Sequence, residues 1–294
     1  MKSIIYNLLI LISFSWWLTS CDETEEIDTT APSIELFEPG AGEQFAAGSN
    51  LEVAATFQDN LNLATFSIDI HNNFDGHAHG RIKTDPSLLK WSFSESFEIS
   101  GTSANITLSD DITIPAEVMA GPYHFIVQAL DADGNATSYD DDSTIEIEIY
   151  LTNNSMPQID ALNLVDGELE VEPGVPFTIE GIIMDPTPVT SAYAGIHTIA
   201  IMLGEDHEDE HSHDHSSGRL KDEEHLFEVV YEENELAQFE TDNGYQLENL
   251  MGSFTLTQAM ADALESDHLV LTVQVDDEQG NIAISKIPVH IHFD

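Results

Sequence analysis

Histidine, aspartate and glutamate are the side chains that hold divalent transition metals, and this chain gathers them in one kind of stretch that occurs twice. His71 opens the first, followed by Asp75, His77 and His79 and then Gly80-Arg81-Ile82-Lys83; the second carries His207, His211, His213 and His215, then Gly218-Arg219-Leu220-Lys221. A His-x-His pair on extended chain sets both rings on one side, near enough to share an ion. Imidazole nitrogens beside carboxylate oxygens match the preferences of Zn²⁺, or of Cu²⁺ and Ni²⁺ given the usual affinity order. Four of the seven Lys and Arg residues stand in the two tails. There they are expected to offset acidic crowding or pair with carboxylates; clamping an anionic ligand beside the metal is the alternative.

Strands must bring these residues together. Phe66, Ile68 and Ile70 alternate with Asp69 and His71, so the two polar residues point outward when the three apolar ones face a core. By the same rule Phe125, Val127 and Ala129 point inward and His124 outward. In an immunoglobulin-like sandwich two such strands are antiparallel neighbours, the end of one beside the start of the other. His71 and His124 are therefore expected on one rim, below the loop of Asp75, His77 and His79, with the closing strand bringing Glu148 alongside. In the second copy Gly204 stands for His71 and His268 for His124, while core positions Val289, Ile291 and Phe293 turn His290 and His292 outward toward His268. His197 and His225 are read as surface polar residues.

The chain repeats beyond its histidines. Pro32-Ser-Ile-Glu35 matches Pro157-Gln-Ile-Asp160, the segment from Leu51 to Phe57 matches that from Phe177 to Ile183, and Ile106 to Ser109 matches Phe254 to Thr257. Each copy then has a helix-like turn, Pro115 to Met119 or Gln258 to Leu264, and a strand running into a Gly-Asn turn at Gly134-Asn135 or Gly280-Asn281. About seven short strands per copy predict an all-β fold of two tandem immunoglobulin-like β-sandwich domains. These span 32–152 and 157–294, joined by Asn153-Asn154-Ser155-Met156. The Asp131-Ala-Asp-Gly-Asn135 run is read as a hairpin turn, because its glycine comes too early for an EF-hand loop.

Residues 1–20 hold one charge, Lys2, and an apolar run from Ile4 to Trp17, the pattern of a secretory signal. Leu18-Thr-Ser-Cys21 resembles a bacterial lipobox, which implies that Cys21, the only cysteine, becomes the lipidated first residue. Residues 21–31 are acidic, without apolar periodicity, and read as a solvated tether. The formal net charge of −48, from 55 acidic and 7 basic residues, disfavours nucleic acid and any membrane contact other than the lipid, and favours cations.

With the run from His71 to His79 and the Asp131-Ala-Asp-Gly-Asn135 turn both in view, the first domain resembles a family of uncharacterised lipoprotein domains from Bacteroidota. The resemblance covers roughly residues 32 to 151 and, more loosely, 157 to 294, where the Asn-Asn-Phe-Asp-Gly core of the run is missing. It implies fold and location and carries no activity. The acidic cluster behind the cysteine is similar to the signal that displays such lipoproteins on the outer face of the outer membrane.

No Gly-x-Ser-x-Gly or phosphate loop occurs, and a rim site would lack the water-excluding pocket that zinc hydrolysis wants. The expectation is a surface-anchored, non-enzymatic lipoprotein that captures Zn²⁺ or a similar ion, weakening below about pH 6, and passes it to an outer-membrane transporter. The alternative is an adhesion or assembly module that binds a protein or glycan.

Overall fold

The computed structural model describes residues 28–74, 85–205, 226–264 and 268–292. The signal segment, Cys21, Asp75, His77, His79, His207, His211, His213, His215, His225, Phe293 and both Gly-Arg-aliphatic-Lys tails lie outside these residues.

The first domain has β1 (Ser33–Glu38), β2 (Gln44–Ala46), β3 (Val53–Asn72), β4 (Ser92–Leu108), β5 (Gly121–Asp131) and β6 (Ile145–Thr152). β3 and β4 each serve both layers. The first part of β3 pairs with β1 and with the far half of β4, and its second part pairs with β5 and the near half of β4. β6 continues the second layer and carries β2 in parallel. The switch is written in the residues: Val53, Ala55 and Phe57 are buried at odd positions, Phe66, Ile68 and Ile70 at even ones. Register shifts between Gln58, Leu63 and Thr65 supply the odd residue that reverses parity, so both halves face one core. Phe57, Phe66 and Phe97 stack there at 4.7 and 4.9 Å. The Tyr123 hydroxyl donates to the Met119 carbonyl at 3.1 Å, the tyrosine corner of immunoglobulin-like sandwiches. Residues 115–119 form a turn, closed by Val118 N–H to Pro115 O at 3.3 Å, where a helix-like turn was expected.

The second domain sets β12 (Phe227–Glu232), β11 (Ile196–Glu205), β16 (His268–Asp277), β17 (Ile282–Ile291) and β8 (Leu169–Val171) side by side in that order. Opposite lie β13 (Glu240–Thr241), β14 (Gly244–Gln246), β10 (Gly181–Met184) and β7 (Gln158–Ala161), with β9 (Pro176–Phe177) paired to β15 (Phe254–Thr255). Short helices α1 (Glu233–Leu236), α2 (Leu247–Met251) and α3 (Gln258–Ala261) close the open side with Leu236, Leu247, Leu250, Met251 and Ala261 buried. Thr257 caps α3, its hydroxyl accepting from Met260 N–H at 3.2 Å. Both domains are immunoglobulin-like sandwiches.

They meet through the β16–β17 turn. Ile282 packs into the first domain's apolar cluster, and its N–H donates to Ala120 O at 2.9 Å. Asn281 Oδ1 accepts from Ala120 N–H at 2.9 Å and from Asn153 Nδ2 at 2.7 Å. At the other pole, Asp28 is 7% exposed, so the domain begins inside the stretch expected to be solvated tether. Side chains below explain why: its carboxylate caps Thr30 N–H and binds Asn60.

Candidate metal sites

His71, His124 and Glu148 occupy one row across β3, β5 and β6, each the register partner of the next. The ring centres of His71 and His124 are 5.4 Å apart with planes at 67°. Two imidazoles on one tetrahedral zinc, with Zn–N near 2.0–2.1 Å, hold their centres about 5 Å apart. His71 Nδ1 bonds Asp69 Oδ1 at 2.7 Å, and His124 Nδ1 bonds Glu146 Oε1 at 2.9 Å. A neutral ring that donates from Nδ1 keeps its lone pair on Nε2, the arrangement by which carboxylates orient metal-binding histidines.

The hydrogen bond that the His124 ring donates to Glu146 raises the His124 pKa, with the charges of Glu146 and Glu148 adding to it and burial opposing. Burial, helped by the Glu146 charge, pushes the Tyr139 hydroxyl up to about 12, so it stays a donor. Glu148 stands opposite His124 as the strand order requires, but it accepts from Asn73 Nδ2 at 3.2 Å and from the Tyr150 hydroxyl. The partner of the His124 ring is Glu146, two residues back on the same face. Among the described residues, His71 and His124 join no third ligand in a set whose atoms all lie within 4.8 Å.

The second domain departs from the expected correspondence. The row that matches His71, His124 and Glu148 is Gly204, Val270 and Pro288, which offers no ligand. Aligned on the aspartates of their turns, His124 lies seven residues before Asp131 and His268 nine before Asp277, so His268 falls one pleat farther along and does not stand where His124 does. There His268 pairs with His290, and His290 pairs on its other side with Glu170 of the parallel strand β8. The rings of His290 and His292 are 4.9 Å apart, and His292 Nε2 forms an ion pair with Glu170 Oε2. The ligand atoms of Glu170, His290 and His292 all lie within 4.8 Å of one another. Glu170 is absent from the sequence reading. Its signal is the short alternation Leu169-Glu170-Val171, whose two apolar residues are buried.

Two further sets of three arise among the described residues: His197 with Glu233 and Glu278, and Asp28 with Asp59 and Asp131. His197 is thus more than a surface residue. Its Nδ1 lies 3.3 Å from Glu278 Oε1, and both side chains are largely covered.

The fold and these faces define a tandem immunoglobulin-like protein with polar, histidine-bearing sheet faces. Residues 19–150 match a family described as a domain of unknown function (DUF4625), which spans the first domain. No curated protein matches the sequence. Among solved structures, the fibronectin(III)-like modules of Clostridium thermocellum CbhA are similar at 12% identity and TM-score 0.24, over 88% of this chain and 93% of that one. The sialic acid binding region of a Streptococcus sanguinis adhesin is similar at 12% identity and TM-score 0.23, over 91% and 78%. A Salmonella alpha-2-macroglobulin gives 10% identity and TM-score 0.30, over 89% and 15%. Scores this low carry nothing about function.

Proposed function

We propose that the protein captures a divalent transition metal ion, Zn²⁺ or else Cu²⁺ or Ni²⁺, on the outer sheet faces of its two sandwiches, while a lipid on Cys21 holds it at the outer membrane. The observation that carries this reading is the convergence of Glu170, His290 and His292 within 4.8 Å, two imidazoles and a carboxylate at a spacing one ion spans. In the first domain the His71–His124 pair supports it, each Nδ1 engaged by a carboxylate. Asp75, His77 and His79 follow His71 in the sequence and supply the remaining donors; His207, His211, His213 and His215 offer a second set.

The ion is cargo. Partly exposed ligands on a sheet face suit capture and release to a partner such as an outer-membrane transporter, so the role is that of a binder rather than an enzyme. Protons compete for the same nitrogens, and release grows as the rings charge.

Calorimetric titration with Zn²⁺ tests this. The full chain should bind tighter than roughly 100 µM. The pair His290→Ala, His292→Ala should abolish one site and the pair His71→Ala, His124→Ala should weaken another at least about tenfold, each leaving the other unchanged. Absence of binding in the full chain would sink the proposal and leave an adhesion module in its place.

A further inference from the structure

At the far end of β5 from His124, roughly 20 Å along the strand, three carboxylates from separate segments meet. Asp28 precedes β1, Asp59 lies in the bend of β3, and Asp131 ends β5; their ligand atoms lie within 4.8 Å of one another. Asp28 and Asp59 are each held by donors on one oxygen, and Asp131 on both. Asp28 Oδ1 accepts from Thr30 N–H at 2.9 Å and Asn60 Nδ2 at 3.0 Å. Asp59 Oδ2 accepts from Leu61 and Asn62 N–H at 2.8 and 2.6 Å. Asp131 accepts from Asp133 N–H, Asn135 N–H and Asn135 Nδ2 at 2.9, 2.7 and 2.7 Å. The second oxygens, Asp28 Oδ2 and Asp59 Oδ1, are buried and have no hydrogen-bond partner among the described residues, and Asp28 is only 7% exposed. Buried carboxylate oxygens without partners, crowded against a third carboxylate, are costly unless a proton or a cation joins them.

The second domain provides an internal control. Asn153 stands four residues before Pro157 as Asp28 does before Pro32, Asp185 follows β10 as Asp59 follows the first half of β3, and Asp277 repeats Asp131. The local bonds repeat too. Ser155 N–H donates to Asn153 Oδ1 at 2.9 Å, Thr187 N–H to Asp185 Oδ1 at 2.8 Å, and Asn281 N–H and Nδ2 to Asp277 at 2.8 Å each. Here the counterpart of Asp28 is an amide, Asn153, whose Nδ2 donates to Val118 O and Asn281 Oδ1. Burial pushes Asp277 up to about 7 against the hydrogen bonds from Asn281 and Gln279, so this pole sheds charge by substitution and protonation. At the first pole burial would also raise Asp131, but the bonds from Asn135, Gly134 and Asp133 together hold it below the usual carboxylate range.

We propose that Asp28, Asp59 and Asp131 form a Ca²⁺ site that clamps the chain entering the first domain to the bend of β3 and the end of β5. An all-oxygen set of three carboxylates selects a hard cation, and Ca–O distances of 2.3–2.6 Å place ligand oxygens up to about 5 Å apart. Mg²⁺ gives up its water less readily and is the weaker occupant.

Thermal unfolding of the full chain at physiological ionic strength tests the assignment, comparing EGTA, millimolar Ca²⁺ and millimolar Mg²⁺. Ca²⁺ should raise the midpoint by roughly 5 °C or more, and Mg²⁺ by clearly less. Asp28→Asn, which installs the second domain's amide, should melt at or above the parent in EGTA and lose the Ca²⁺ response. The His71→Ala, His124→Ala pair should keep that response, which separates this site from the transition-metal sites. No rise with Ca²⁺ in the parent, an equal rise with Mg²⁺, a response retained in Asp28→Asn, or one lost in the histidine pair would each overturn the assignment.

Discussion

His124 couples two proton-dependent properties with opposite signs. Its folded pKa is raised above 6.5, first by the hydrogen bond to Glu146. The stability contributed by that pair is therefore fully present below the unfolded value and is lost as pH rises through the folded one. The proposed metal capture needs the neutral ring and would follow the reverse course, so acidification would strengthen the ion pair and expel the ion together. An NMR titration should find His124 titrating above the ordinary imidazole value and Glu146→Gln returning it toward 6.5. The same variant should weaken first-domain Zn²⁺ binding by about tenfold, the usual effect of losing an orienting carboxylate. A His124 pKa unmoved by Glu146→Gln would remove this coupling.

At the scale of elements, β5 enters its sheet through a position where only glycine fits. Gly121 has φ +147°, and a Cβ there would lie 2.6 Å from Phe74 Cε1 and 3.3 Å from Ile282 Cβ. Gly121→Ala should cost about 1–3 kcal/mol, read as a lower urea midpoint with unchanged slope. Strand existence was legible wherever period two was clean: Phe66, Ile68, Ile70, Phe125, Val127 and Ala129 are all buried, and His71 and His124 face outward beside each other. The near half of β4 was not, because its Ser-Phe-Ser-Glu-Ser-Phe pattern puts small and acidic residues on a largely exposed edge. Pairing choices were also hidden. His268 stands nine residues before its turn aspartate where His124 stands seven before its own, which takes it off the expected row, and the parallel contact that delivers Glu170 has no local signature in a three-residue strand. The aspartate sets were masked by composition, since 55 acidic residues give no reason to single out Asp28 or Asp59.

Across the whole molecule the junction is built on one amide. Asn281 is fully buried and ties Ala120, Asn153 and Asp277 together. Asn281→Ala should cost about 1–3 kcal/mol by leaving these groups unpaired, and should speed proteolysis at residues 153–156 more than within either sandwich; equal rates in parent and variant would show that the amide does not govern the junction. The insertion of Ile282 has a consequence for biogenesis. As the polypeptide emerges from its N-terminus onward, the first sandwich acquires all its own strands while the notch around Phe74 and Gly121 still waits for a residue synthesised far downstream. Until that isoleucine arrives, the nascent chain carries an uncovered greasy spot, the kind of surface that chaperones recognise.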